Sequence, residues 1–205
     1  MKEYYDRRAR EYDATTYKLV LQDDDASRDL GALEALLTAL PPATTLDIGC
    51  GTGWLTRFLP GAVVALDQSE SMLRIARRRV PGAVFVLADV PPLPFPAGSF
   101  DRALASHVYS HVETADERQA FVDEAFRVAG ELIVVEQADQ RDRPKVCREL
   151  RTLEDGTEHR VFKRYLTAVE LADELGGEIL LDTPTLVAVR TRAEPDSGGA
   201  RTTLP

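Results

Sequence analysis

The chain has 205 residues, 44% hydrophobic and 29% charged, a balance that suits one globular domain around a single core. A formal net charge of −9, with no basic stretch interleaved with aromatics, argues against nucleic acid as a partner. The charged opening Met1-Lys2-Glu3 lacks the apolar core of a signal peptide and no apolar run reaches membrane-spanning length, so the expectation is a cytoplasmic protein without a membrane partner. Cys50 and Cys147 fall in different predicted elements at neither metal nor redox spacing and read as free thiols.

In chain order, residues 4–13 and 27–40 read as helices, the second with Leu30, Leu33, Leu36, Leu37 and Leu40 at helical spacing before Pro41-Pro42. Strand 44–49 leads to a helix near 53–59, strand 62–67 to a helix at 69–80, and strand 83–88 to the proline-rich crossing 91–96. Strand 100–106 precedes a helix at 115–129, started by Thr114 and Glu117 in capping-box spacing, and strand 131–136 follows. Past an unassigned stretch at 138–158, Thr167 and Glu170 form a second capping box on a helix ended by Gly176-Gly177. Residues 178–182 and 185–190 read as an antiparallel hairpin, and the polar residues from 193 on as a disordered tail. Alternation of this kind implies a parallel sheet, so the expected fold is α/β with one domain over 1–192 and a helical cap at 1–40.

The sharpest local signal is Leu46-Asp47-Ile48-Gly49-Cys50-Gly51-Thr52-Gly53-Trp54 followed by Val63 to Asp67: a strand, a glycine-rich turn, a helix and a second strand ending on a carboxylate. Glycines at 49, 51 and 53 let backbone N–H groups approach a ligand, and Asp67 is placed to accept from both hydroxyls of a ribose. This is a nucleoside site. A dinucleotide fingerprint wants glycine where Trp54 stands, which weakens the NAD-dependent oxidoreductase alternative without removing it. Asp67 reads alternatively as a cap for the helix at Ser69, and Asp89 as a turn residue before Pro91. Asp47 inside a predicted strand needs a partner if buried.

These residues resemble the first motif of the class I S-adenosylmethionine-dependent methyltransferases of the small-molecule type. The resemblance continues through Leu87-Ala88-Asp89-Val90, Leu93-Pro94-Phe95 before Ser99-Phe100-Asp101, and Arg127 to Gly130 before Glu131 to Glu136, where the family's Pro-Gly-Gly is shortened to Ala129-Gly130. It implies a Rossmann-like, doubly wound, mostly parallel seven-stranded sheet with an antiparallel C-terminal hairpin. It also implies S-adenosyl-L-methionine as cofactor and methyl transfer to oxygen or carbon of a small organic acceptor by a monomer or homodimer. Asp47, Gly49, Cys50, Gly51 and Gly53 would hold the methionine and ribose part, Asp67 and Gln68 the ribose, and Asp89 and the Val90 N–H the adenine, with Ser106 at the next strand end. The opening Tyr4 to Asp13 resembles the helix that covers the cofactor, with Tyr12 and Arg8 toward the methionine carboxylate; a solvated arginine-bearing face is the alternative.

For the transfer itself, Ser106-His107-Val108-Tyr109-Ser110-His111 follows the strand that borders the methyl in that architecture. His111 is the first candidate for a general base or acceptor-orienting group, His107 the second and Tyr109 the third. His107 and His111 are one helical turn apart, but no third ligand accompanies them and no metal is expected. Arg160 to Tyr165 alternates apolar and cationic residues: either an edge strand with charges outward, or an acceptor wall in which Arg164 and Tyr165, with His159, read a carboxylate or phosphate. A protein that binds the cofactor without consuming it remains the non-enzymatic alternative.

Overall fold

The computed structural model describes residues 1–18, 23–89, 91–139 and 144–193. The Val90 assignment and the tail beyond 193 therefore lie outside the described residues.

Three helical pieces come first: α1 (Lys2–Arg8), a short π-helical turn (Ala14–Lys18) and α2 (Asp24–Thr38). The single N-terminal helix expected over 4–13 is thus broken. Helix α2 starts three residues earlier than its leucine spacing suggests, because Asp23 caps it by accepting from the Asp25 and Ala26 N–H groups. Strands β1 (Ala43–Ile48) and β2 (Gly61–Asp67), helix α3 (Glu70–Arg79), strands β3 (Val84–Leu87) and β4 (Phe100–Ser106), helix α4 (Ala115–Val128) and strand β5 (Ala129–Gln137) follow. Between β1 and β2 only a 3₁₀ turn (Thr56–Phe58) forms where a helix was expected. Gly53, at φ +74°, and Pro60 leave too little room for α-helical propagation. Both expected capping boxes form, Thr114 with Glu117 on α4 and Thr167 with Glu170 on α5 (Ala168–Leu175).

The unassigned stretch contains strand β6 (Val146–Thr152), which pairs antiparallel with β7 (Glu158–Arg164) as a separate two-stranded ribbon. Strands β8 (Glu178–Asp182) and β9 (Leu186–Arg192) complete a seven-stranded sheet of order β3-β2-β1-β4-β5-β9-β8. Its first five strands run parallel and β9 is antiparallel to both neighbours. The parallel strands are covered on both faces, with alternate residues going to opposite sides. Ala103, Ala105, Leu132 and Val134 pack with Phe121 and Ala125 of α4, whereas Leu104, Ile133 and Val135 pack with Leu30, Leu33 and Leu37 of α2. Strand order reverses between β1 and β4, which opens a crevice at the strands' carboxyl ends.

Candidate active site

Two adjoining cavities, of about 360 and 290 Å³, open at that crevice. The first is walled by the ends of β1, β2 and β4. Gly49 and Gly51 have φ of +72° and +55°, and a Cβ on Gly49 would come within 2.4 Å of Val108 Cγ2, so only glycine fits that turn. The Gly49 and Cys50 N–H groups both donate to the Leu66 carbonyl, which clips the turn to the end of β2. Asp67 accepts from the Gly51 N–H through one oxygen and the Ser69 N–H through the other, each at 2.8 Å, and still lines the cavity. Burial raises its pKa while those backbone donors pull the other way. The helix cap is Ser69, which accepts from the Met72 N–H. Gln68, Asp89 and Ser106 complete this wall, and the Ser106 hydroxyl is buried with no partner among the described residues.

Other expected residues sit behind the wall rather than on it. Asp47 is buried beneath the turn and accepts from the Thr56 hydroxyl at 2.6 Å; burial raises its carboxyl to about 7 against that hydrogen bond. The Cys50 thiol, its pKa also raised by burial, turns toward the Gly51 carbonyl. Gly53 backs onto α3, where a Cβ would meet Ala76 at 3.1 Å. Trp54 stacks on Tyr17 at 4.7 Å and donates to Glu34. These residues shape the cavity without lining it.

Helix α1 closes the top. Asp6 accepts from the Ser69 hydroxyl at 2.6 Å, tying α1 to the start of α3, and Tyr12 lines both cavities. Arg79 is the residue the sequence did not single out here. It ion-pairs with Asp13 and donates to the Thr52 carbonyl and hydroxyl at 2.8 Å, locking the glycine turn to the cover. In a run of three arginines at a helix end nothing marks that one, since the run is explained by the helix macrodipole.

His107 and His111 border both cavities. His107 is the one described non-glycine residue at positive φ, +57°, held there by its N–H on the Val135 carbonyl. Such a conformation costs about 1–2 kcal/mol and turns the imidazole into the crevice. Its Nδ1 lies 3.9 Å from Glu136 Oε2, too far for a hydrogen bond. His111 Nδ1 meets the Phe162 carbonyl at 2.6 Å. A carbonyl only accepts, so that nitrogen carries the proton and Nε2 is left as an acceptor. Burial, then the Lys163 charge, lower the His111 pKa to about 4, so its ring is neutral at pH 7.

Tyr109 does not reach the site: it is fully buried and donates to Glu174 at 2.9 Å, where Arg118 and Arg164 also converge. Arg164 is thereby turned into the core and away from any acceptor, and His159 packs against Tyr4 at 5.1 Å. The outward-charge reading of 160–165 fails at Lys163. That residue shares an inward face with Val161 and Tyr165 and is 2% exposed, donating to Ser110 Oγ at 2.8 Å and facing Glu136 at 3.4 Å. Burial by itself would raise the Glu136 carboxyl, but Lys163, His107 and Ser110 hold it below the ordinary range. The second cavity is built from Lys163 and Tyr165 of the ribbon, Arg151 and Glu149 across from them, and Arg8 of α1. No group of side chains suited to a metal ion occurs among the described residues.

A family model for a methyltransferase domain matches residues 46–131, which contain the glycine turn, Asp67, Asp89 and both histidines. Over that stretch, and along most of its length in the solved-structure comparison below, the chain is similar to the class I S-adenosylmethionine-dependent methyltransferases. It is 32% identical over 127 residues to malonyl-[acyl-carrier protein] O-methyltransferase of Serratia marcescens, covering 60% of this chain and 46% of that protein. It is 40% identical over 75 residues to trans-aconitate 2-methyltransferase of Methylobacterium nodulans, covering 34% and 29%. The chain thus spans less than half the length of these curated relatives. Similarity to the solved complex of DhpI with SAH is more extensive: a TM-score of 0.75 at 28% identity, over 94% of this chain and 95% of that one.

Proposed function

We propose that this protein binds S-adenosylmethionine in the first cavity and transfers its methyl group to an oxygen or carbon of a small organic molecule held in the second. The observation that carries this reading is the shared wall. His107, His111, Tyr5 and Tyr12 line both cavities, so the ligands of the two meet where the histidines stand. The similar DhpI structure holds SAH, and the family match supports the same cofactor here.

The chain's own groups supply position more than acid–base force. Asp67 and Gln68 would take the ribose hydroxyls, Asp89 the adenine edge, and the unpartnered Ser106 hydroxyl a polar atom of the amino-acid end. The sulfonium brings the reactive methyl, and in-line transfer needs the acceptor atom held close and water kept out. Helix α1 and Tyr12 provide the cover. His111, neutral with Nε2 free, orients the acceptor by accepting a hydrogen bond, and its lowered pKa makes it a weak base. Calorimetry with S-adenosylhomocysteine, followed by a radiolabelled methyl-transfer screen of small metabolites, tests the reading. Micromolar binding, about −8 kcal/mol, together with labelled product supports it. Absence of binding refutes it, and binding without transfer to any acceptor would favour a cofactor-binding protein that does no chemistry.

A further inference from the structure

The second cavity holds more positive N–H donors than its carboxylates use. Lys163 has three donors and gives one to Ser110 and, loosely at 3.4 Å, a second to Glu136, which leaves the third. Arg151 gives Nε and Nη2 to Glu149 at 3.0 and 2.7 Å and Nη1 to the Tyr4 hydroxyl at 3.1 Å, which leaves two of its five N–H groups unspent. Arg8 donates only to the hydroxyls of Thr15 and Thr16, and no carboxylate lies within ion-pair distance of it among the described residues. The groups around the cavity respond to the resulting potential. Burial lowers the Lys163 pKa, Glu136 opposes that and the Arg151 charge adds to it, and Lys163, after burial, lowers the pKa of His111. A buried lysine and two half-buried arginines that keep free donors are a binding site for negative oxygens.

We infer that the methyl acceptor is an organic acid, its carboxylate or tetrahedral phospho-oxyanion held by Lys163 and Arg151 with Arg8 on the facing wall, and its methylated atom beside His107 and His111. This rests on the methyltransferase reading above. One competitor lies in the same place: the methionine carboxylate of the cofactor, which the sequence resemblance assigns to Arg8. An acid that binds while the cofactor site is full separates the two.

The experiment begins with S-adenosylhomocysteine binding to the wild-type chain; failure there would sink the methyltransferase reading itself. The saturated complex is then titrated at constant ionic strength with acetate, methylphosphonate and the neutral controls acetamide and dimethyl methylphosphonate, while NMR follows the His111 imidazole. At least one acid is expected to bind without displacing S-adenosylhomocysteine and to raise the His111 pKa from about 4 by about 1 as the new negative charge arrives. The neutral compounds should do neither. A response to acetate alone identifies a carboxylate acceptor, one to methylphosphonate alone a tetrahedral one. Arg151→Gln, whose amide still has N–H donors for the Tyr4 hydroxyl and which leaves the other α1 anchors, Asp6 with Ser69 and Arg7 with Asp155, in place, should weaken the acid about tenfold or more and leave S-adenosylhomocysteine affinity within about twofold. The paired Glu136→Gln, Lys163→Gln variant, which removes both buried charges together, provides a second arm should either protein fold poorly. Equal binding of acids and neutral controls, no acid binding to the saturated complex, competition with S-adenosylhomocysteine, or undiminished acid binding in the variants would each overturn the inference.

Discussion

Asp67 performs two tasks with one carboxylate. It holds the glycine turn to the start of α3 through the Gly51 and Ser69 N–H groups, and it presents the remaining lone pairs to the cavity. Asp67→Ala should weaken S-adenosylhomocysteine by about 1–3 kcal/mol, read by calorimetry. Asp67→Asn, which keeps an acceptor for one of the two N–H groups, should retain more of the fold's stability while still losing affinity. Unchanged affinity in both variants would remove the ribose assignment. His111 makes a pH prediction of definite sign. Its folded pKa, about 4, lies below the ordinary 6.5, so the unfolded chain takes up a proton that the folded one does not, and the group's contribution to stability is present above 6.5 and lost as pH falls toward 4. Denaturant melts should therefore show wild type losing more stability over that window than His111→Gln, by about 1–3 kcal/mol. Turnover that depends on the neutral ring should be flat from pH 6 to 8, and a midpoint near 6.5 would move the role to another group.

Helix α1 is anchored at both ends of the crevice: to the α3 start through Asp6 and Ser69, and to the ribbon through Tyr4 with Arg151 and Arg7 with Asp155. The salt bridge of Arg79 with Asp13 and its bonds to Thr52 couple that cover to the cofactor turn. Beyond these, α1 packs at the rim, through Tyr4 on Leu153 and Val161 and not on the central sheet, so its amides should exchange faster than those of β1 or β4 in the free protein and slow when S-adenosylhomocysteine binds. Arg79→Gln should weaken the cofactor product about tenfold and leave the lid exchanging rapidly even when it is bound; equal protection in variant and wild type would make the contact mere packing. Elements with a local code were readable in advance. Thr114 with Glu117 and Thr167 with Glu170 set two helix starts, and the glycine turn placed the cavity. The ribbon was not readable, because its two strands, joined by the turn 153–157 and registered from Val146 opposite Arg164 to Thr152 opposite Glu158, carry charges on both faces, and an alternating strand does not say which face meets the core. Lys163 went inward because Glu136 and Ser110, on other elements, were there to receive it.

At the scale of the molecule, the crevice exists because strand order reverses between β1 and β4, and the cofactor half of the site hangs on the strand ends that face it. The sequence announced the cofactor half of that crevice, since its turn, Asp67 and Asp89 lie in one continuous stretch. Of the acceptor half, assembled from α1, the ribbon and the end of β5, it announced the two histidines and, in one of its two readings of 160–165, Tyr165, but not Lys163 or Arg151. This division predicts how the whole fold responds to ligands. A ligand that binds only the folded chain at about a hundred times its Kd adds about 2.7 kcal/mol of stability, which for a domain of this size raises Tm by roughly 5–10 °C. S-adenosylhomocysteine should produce a shift of that size in wild type and a clearly smaller one at the same concentration in Asp67→Ala. NADH should produce none, because Trp54 stands where a dinucleotide turn needs glycine and its ring is committed to Tyr17 and Glu34. A larger shift with NADH than with S-adenosylhomocysteine would return the protein to the dinucleotide-dependent class despite its fold.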